Sequence, residues 1–330
     1  MNRVVSGVRP TGKLHLGNYF GAIQNFIKLQ DEHECFFFVA DYHSLTTHPK
    51  ASELHPNIRE TLLTYLACGL DPDKTTLYVQ SDVPQIAELY LIFNMLAYVG
   101  ELERCTTYKD KLAGQNENNN AGLLTYPVLM AVDIIIHHAT KVPVGKDQEQ
   151  HLEMTRNFVN RFNHYYGDYF KAPQAFNYGN ELIKIPGLDG KGKMGKSEGE
   201  HNAIFLIEEA TKTKKSIMRA VTDSGPTEPN SKKSVEIDNL FTILKAVSKP
   251  DVVEQYETAY NDCSIRYGDL KKQLADDVAQ LLEPIRARYA ELESKPDELK
   301  DIVQAGAEKA RLSASKTIKE VRELIGIKQF

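Results

Sequence analysis

Short apolar runs alternate with amphipathic stretches through the first half of the chain, and strand signals fade after about residue 200. Val4-Val5-Ser6-Gly7-Val8 is a β-branched run that enters a Pro/Gly turn, and helical spacing of Phe20, Ile23, Phe26 and Ile27 follows at once. Cys35-Phe36-Phe37-Phe38-Val39-Ala40 is a continuous apolar run, as a strand buried on both faces of a parallel sheet requires. It ends in polar Asp41-Tyr42-His43-Ser44 at a strand C-terminus, where open α/β sheets bind ligands. A helix is predicted over 53–70, with Leu54, Ile58, Leu62, Tyr65 and Leu66 on one stripe. Thr75-Thr76-Leu77-Tyr78-Val79-Gln80 is the next strand, and Pro84 opens another helix. Residues 115–120 read as a polar loop, and 123–136 as a helix with Pro127 near its start. Lys141-Val142-Pro143-Val144-Gly145 then enters a turn from a strand, and a helix begins at 147–151.

This alternation predicts an α/β fold with a doubly wound, parallel, Rossmann-like sheet. Beyond residue 200 helical patterns dominate, the last over 301–325 with Gly326 just past its end. The Gly/Lys-rich stretch at 187–199 is the natural boundary. The expected organisation is a catalytic α/β domain over 1–190 and a smaller, all-helical domain over 191–330 that carries the lysine loop at its start.

Composition narrows the class. The 330 residues are 42% hydrophobic and 26% charged, ordinary for a globular protein. No apolar run is long enough to span a membrane, and the N-terminus goes straight into a strand without a signal-peptide pattern. Cys35, Cys68, Cys105 and Cys263 are scattered with no CxxC pair, which fits a reducing, cytoplasmic setting and predicts no protein metal site. A net charge of −5 argues against a general polyanion binder, so any nucleic acid would meet local basic surface.

Two stretches carry candidate chemistry. Arg9-Pro10-Thr11-Gly12-Lys13-Leu14-His15-Leu16-Gly17-Asn18 joins a strand to a helix N-terminus, a layout that presents backbone N–H groups and a positive dipole end to a phosphate. An ordinary βα turn with a capping Asn has the same pattern. Ile185-Pro186-Gly187-Leu188-Asp189-Gly190-Lys191-Gly192-Lys193-Met194-Gly195-Lys196-Ser197 is a glycine-rich loop with paired lysines; a solvated linker shares that composition.

Together, His15-Leu16-Gly17-Asn18 and Lys193-Met194-Gly195-Lys196-Ser197 resemble the two signature motifs of class I aminoacyl-tRNA synthetases. The resemblance runs from Ser6 to the last helix. Within the class, Leu124-Thr125-Tyr126-Pro127, Met130-Ala131-Val132-Asp133, Gly100–Arg104 and Ala220–Ser224 are similar to the tryptophanyl branch. The family pattern implies activation of L-tryptophan by ATP, with Mg2+ bound through the ATP phosphates, then transfer to tRNA(Trp) by a homodimer.

By that resemblance Arg9, Pro10 and Thr11 lie along the nucleotide, and His15, Gly17 and Asn18 pack beneath adenine and phosphates. Lys193 and Lys196 close over the phosphates with Ser197, flanked by Ile185, Met194 and Gly195. Gly195 stands where the family more often has Ser. Gly145, Lys146 and Asp147 form the second ATP wall, with Asp147 either accepting from ribose hydroxyls or serving as an N-cap. Asn18, Lys193, Lys196 and Ser197 are the candidate catalytic groups. Tyr126 and Gln148 would hold the substrate's α-amino group, and His43 and Val5 would line the pocket.

Asp133 decides the amino acid. It is a carboxylate among Leu129, Met130, Ala131, Val132, Ile134, Ile135 and Ile136, and burial without a donor is costly. The donor is an internal Arg, Lys or His, or solvent, or the indole N–H of tryptophan with Met130 packed on the ring. Three other readings are a tyrosyl enzyme, a nucleotidyltransferase acting on a small phosphate substrate, and an inactive RNA-binding relative. The helical region offers Lys212, Lys214, Lys215, Arg219, Lys232 and Lys233, and the segment 301–330 has six Lys/Arg against four Asp/Glu. By composition both are normal solvated faces; only the resemblance makes this region an anticodon reader.

Overall fold

The computed structural model describes residues 2–114, 119–143, 145, 149–176, 184–190, 192–195 and 201–328. Five parallel strands, β1 (Arg3–Val8), β2 (Glu34–Val39), β3 (Thr75–Val79), β4 (Lys141–Pro143) and β5 (Gln174–Phe176), lie in the order β3-β2-β1-β4-β5. β1 pairs with β2 in the register Arg3↔Glu34 to Val8↔Val39, and with β4 through Val4↔Lys141. The chain thus leaves β1 first toward β3 and later toward β5, which opens a crevice at the C-terminal ends of β1 and β4. Ligands bind open α/β sheets at such a switch point.

In chain order the helices of the α/β part are α1 (Leu16–Asn18), α2 (Gln24–Leu29), α3 (Asp41–Ser44), α4 (Ala51–Ala67), α5 (Gln85–Asn94), α6 (Val99–Leu102), α7 (Thr106–Gly114), α8 (Ala121–Ile135) and α9 (Glu149–Tyr166). They are followed by α10 (Ala210–Met218), α11 (Val235–Val247), α12 (Pro250–Asn261), α13 (Tyr267–Glu293) and α14 (Pro296–Ile325). The helix expected after the first loop begins earlier, at Leu16, and widens into a π turn over Tyr19–Ile23 before α2. α7 and the short β5 lack a clear periodic signal and were not anticipated. Pro127 is accommodated inside α8, whose N-terminus is capped by the Asn120 side chain accepting from the Leu123 N–H at 3.0 Å. Of the polar loop expected at 115–120, only Asn119 and Asn120 lie within the described residues.

One apolar core extends past residue 190. Val4, Phe37 and Leu63 share a buried cluster with Phe241, Leu274 and Tyr289 of the helical region. A second cluster joins the other sheet face to Ala307, Ala310 and Ala314 of α14. α14 lies directly on β3: a Cβ added at Gly306 would overlap the Leu77 carbonyl oxygen. Further along, the Thr317 hydroxyl donates to the Ile136 carbonyl at 2.7 Å. His137, fully buried, joins Tyr78 Oη (3.0 Å) to Ser313 Oγ (3.1 Å) while stacked on Phe36. Burial lowers its pKa to about 3, so it sits there as a neutral bridge. Among the described residues no helix is long and apolar enough to cross a membrane.

The close approach of α14 makes Gly306 a sensitive position. Gly306→Ala gains about 1 kcal/mol of helix propensity, yet overpacking against β3 costs about 1–3 kcal/mol. A lower urea midpoint than wild type is expected; an unchanged or raised midpoint would show that α14 is not seated against the strand.

Candidate active site

A cavity of about 480 Å³ opens at the β1/β4 switch point. Val5 to Arg9 of β1 and its exit form one wall, and Val142, Pro143 and Gly145 another. His43 comes from α3, Tyr126, Met130 and Asp133 from α8, and His151 from α9. The lining is mainly apolar with a few convergent polar groups, as small-molecule sites usually are.

Helix geometry explains the α8 contribution. Tyr126, Met130 and Asp133 follow at intervals of four and three residues, hence lie on one stripe. Asp133 is 2% exposed. Its donors are protein groups: His43 Nε2 at 2.9 Å from Oδ2, and Gln80 Nε2 at 2.7 Å from Oδ1 and 2.9 Å from Oδ2. Burial raises its pKa, while the bonds from His43 and Gln80 pull the other way. The internal histidine considered for this acid is therefore present. A carboxylate has about four acceptor positions, and these three contacts leave Oδ1 with only the Gln80 bond. The acid still borders open space.

Tyr126 points its hydroxyl at His151 Nε2, 2.5 Å away, with Cys105 Sγ 3.7 Å from the same oxygen. Burial pushes the phenol well above its ordinary pKa, so the group enters as a neutral hydroxyl.

The first signature stretch forms a joint beside the cavity. The Asn18 side chain accepts from the His15 N–H at 3.0 Å and closes the first turn of α1. Leu16 N–H donates to Ile204 O (2.9 Å) and Leu206 N–H to Leu14 O (2.9 Å), so the segment after the lysine loop pairs with this turn. A Cβ at Gly17 would stand 2.9 Å from the His15 ring and 3.7 Å from Met194. Met194, in turn, is buried, donates its N–H to Ile185 O at 3.0 Å and accepts from the Ile204 N–H at its sulfur. The two motifs, about 180 residues apart in sequence, meet at Gly17 and Met194.

The sequence-derived candidates divide accordingly. Val5, Arg9, His43, Tyr126, Met130, Asp133 and Gly145 line the cavity. His15, Gly17, Asn18, Ile185 and Met194 make the neighbouring joint, with Lys193 exposed and Gly195 part-buried. Pro10 is buried and Thr11 exposed at the end of β1, outside the cavity wall. Lys146, Asp147, Gln148, Lys196 and Ser197 lie outside the described residues. Gln80, His151 and Thr107, which also lines the cavity, were not anticipated. Gln80 had a usable signal: it is the first polar residue past a parallel strand, the rule that marked the stretch Asp41–Ser44.

The basic residues of the helical region are less available than their count suggests. Lys233 is tied to Glu257 at 2.6 Å and lies over the Phe241 ring, and Lys212 and Lys214 pair with Glu208 and Asp276. Lys233 is a packing element.

The family model for class I tRNA synthetases of the W and Y type matches residues 1–283. The chain belongs to that synthetase family. A tryptophan--tRNA ligase from Porphyromonas gingivalis is 56% identical to it over 329 residues, which cover 99% of this synthetase and 100% of the relative. One from Fusobacterium nucleatum is 42% identical, covering 99% and 98%. Among solved structures, the tryptophanyl-tRNA synthetase of Campylobacter jejuni complexed with ADP and tryptophan superimposes with a TM-score of 0.88 at 36% identity, covering 98% of this synthetase and 99% of that chain.

Proposed function

We propose that this synthetase is a tryptophan--tRNA ligase: it converts L-tryptophan and ATP to tryptophanyl-adenylate and pyrophosphate, then transfers the tryptophanyl group to the 3′-terminal adenosine of tRNA(Trp). The observation that carries this reading is Asp133, a buried acid that borders a mainly apolar cavity at the sheet's switch point and whose Oδ1 receives a bond from Gln80 alone. The indole N–H is its partner, Met130 packs on the ring, and Val5 and His43 close the sides. Phenylalanine leaves the acceptor without a partner, which is a large discrimination. The names of the relatives above point the same way.

In the first step a carboxylate oxygen of the amino acid bonds to the α-phosphorus as the bond to the bridging oxygen breaks and pyrophosphate departs. Two anions meet, so orientation and positive charge carry the rate. Arg9, Pro10 and Thr11 line the nucleotide, and the turn at His15, Gly17 and Asn18 receives adenine and phosphates. Lys193 and Lys196, with Ser197, neutralise the charge growing on the leaving group. Gly145, Lys146 and Asp147 face the ribose, while Tyr126 and Gln148 orient the α-amino group. Tyr126 suits that role as a neutral hydroxyl already oriented by His151. The Mg2+ that travels with ATP would be held by phosphate oxygens.

The helical region after the lysine loop is assigned to the tRNA anticodon, with the catalytic unit over 1–190. A homodimer is supported by Leu91 of α5, Met95 and Tyr98 of the connection after it and Val99 of α6, which are 55–75% exposed. Four free cysteines fit the cytoplasm, where thiols stay reduced.

Tryptophan-dependent ATP–pyrophosphate exchange tests the reading. Asp133→Ala should raise the tryptophan KM at least about tenfold, the worth of a buried hydrogen bond to a charged group, with the ATP KM nearly unchanged. Equal loss for both substrates would make Asp133 a purely structural acid. Lys196→Ala should slow exchange by about two orders of magnitude, and an unchanged rate would remove the lysine loop from catalysis.

A further inference from the structure

Gln80 is fully buried immediately after β3 and does not itself border the cavity. Its amide orientation is fixed by its neighbours. Gln80 Oε1 accepts from the Tyr42 backbone N–H at 3.1 Å. A backbone N–H can only donate, so that atom must be the carbonyl oxygen and the NH2 group must face the other way. There it meets both oxygens of Asp133, at 2.7 and 2.9 Å. The same corner is pinned by Asp41, whose Oδ1 accepts from the N–H groups of Tyr42 and Ser81, each at 3.0 Å. Gln80, Ser81 and the start of α3 are therefore tied together behind the acid.

Two consequences follow for Asp133. Its carboxylate plane is set by Gln80 from behind and by His43 at Oδ2. Oδ1 then keeps an acceptor position that neither donor takes, on an acid that borders the cavity. Without Gln80 the carboxylate would keep a single protein donor and be free to rotate about its terminal torsion, which is soft.

We propose that Gln80 is a specificity-determining positioning residue: through its amide it holds Asp133 as an aimed acceptor, so that the site distinguishes a ring bearing an N–H from one of equal shape without it. It touches no substrate and acts through Asp133. The inference rests on the reading of Asp133 as the indole acceptor.

The test compares kcat/KM in pyrophosphate exchange for L-tryptophan and for β-(3-benzothienyl)-L-alanine, in which sulfur replaces the ring N–H. The ratio of the two on one preparation cancels the folded fraction, so partial misfolding does not mask the result. Two variants are used. Gln80→Met keeps the length and removes both the donor and the acceptor; Gln80→Glu keeps an acceptor for the Tyr42 N–H but turns a carboxylate toward Asp133. In both, the preference for tryptophan should fall by at least about tenfold, the scale of one buried hydrogen bond to a charged group, with the ATP KM little changed. A preference that stays at the wild-type value in either variant overturns the proposal. Asp133→Ala in the same assay separates the two levels. If it abolishes the preference while the Gln80 variants keep it, only the role of Gln80 fails. If Asp133→Ala itself leaves the preference intact, the reading of Asp133 fails as well.

Discussion

The structure turns on how one carboxylate is kept inside an apolar helix. Asp133 stands among isoleucines and valines on α8, where an unpaired charge would cost several kcal/mol. Donors from two other elements relieve that cost: His43 from α3, which follows β2, and Gln80 from the end of β3. Strands β2 and β3 are neighbours, so both donors arrive at the same height of the sheet. Satisfying the acid and shaping the cavity are the same act of folding. What distinguishes the site from a sealed polar core is that the acid borders the cavity.

The sheet order gives the cavity its place. Because the chain winds outward from β1 in both directions, the cavity opens between the mouths of β1 and β4. The β1 mouth leads into a helix N-terminus, and the segment 201–206 crosses back to hydrogen-bond with it. The contact of Gly17 with Met194 brings the lysine loop to the same side. At the far end, α14 returns from the helical region and seats its glycine on β3, one strand segment away from Gln80. The element that closes the helical region thus rests on the strand that supports the acid.

Much of this was legible in sequence because it depends on local rules. The buried strands declare themselves by unbroken apolar runs, as at Cys35–Val39. The ends of those strands declare the site by their first polar residues. Asp133 was legible for the opposite reason: a charge at the wrong place on an oily helix demands a partner. The identity of its donors was not legible, since Gln80 and His43 are 53 and 90 residues away in sequence and only the sheet order brings them together. The π turn at Tyr19–Ile23 and the three-residue β5 leave no periodic trace, so they were missed for lack of length. The lysine count of the helical region says little about a partner for a simple reason: ion pairs such as Lys233–Glu257 consume charge that composition records as available.

The most direct measurement is a crystal structure of this synthetase with L-tryptophan bound. The indole Nε1 is expected within 2.7–3.2 Å of Asp133 Oδ1, with His43 and Gln80 still on the same carboxylate. An indole whose nitrogen points away from Asp133, or an Oδ1 already taken by another protein group, would contradict the assignment.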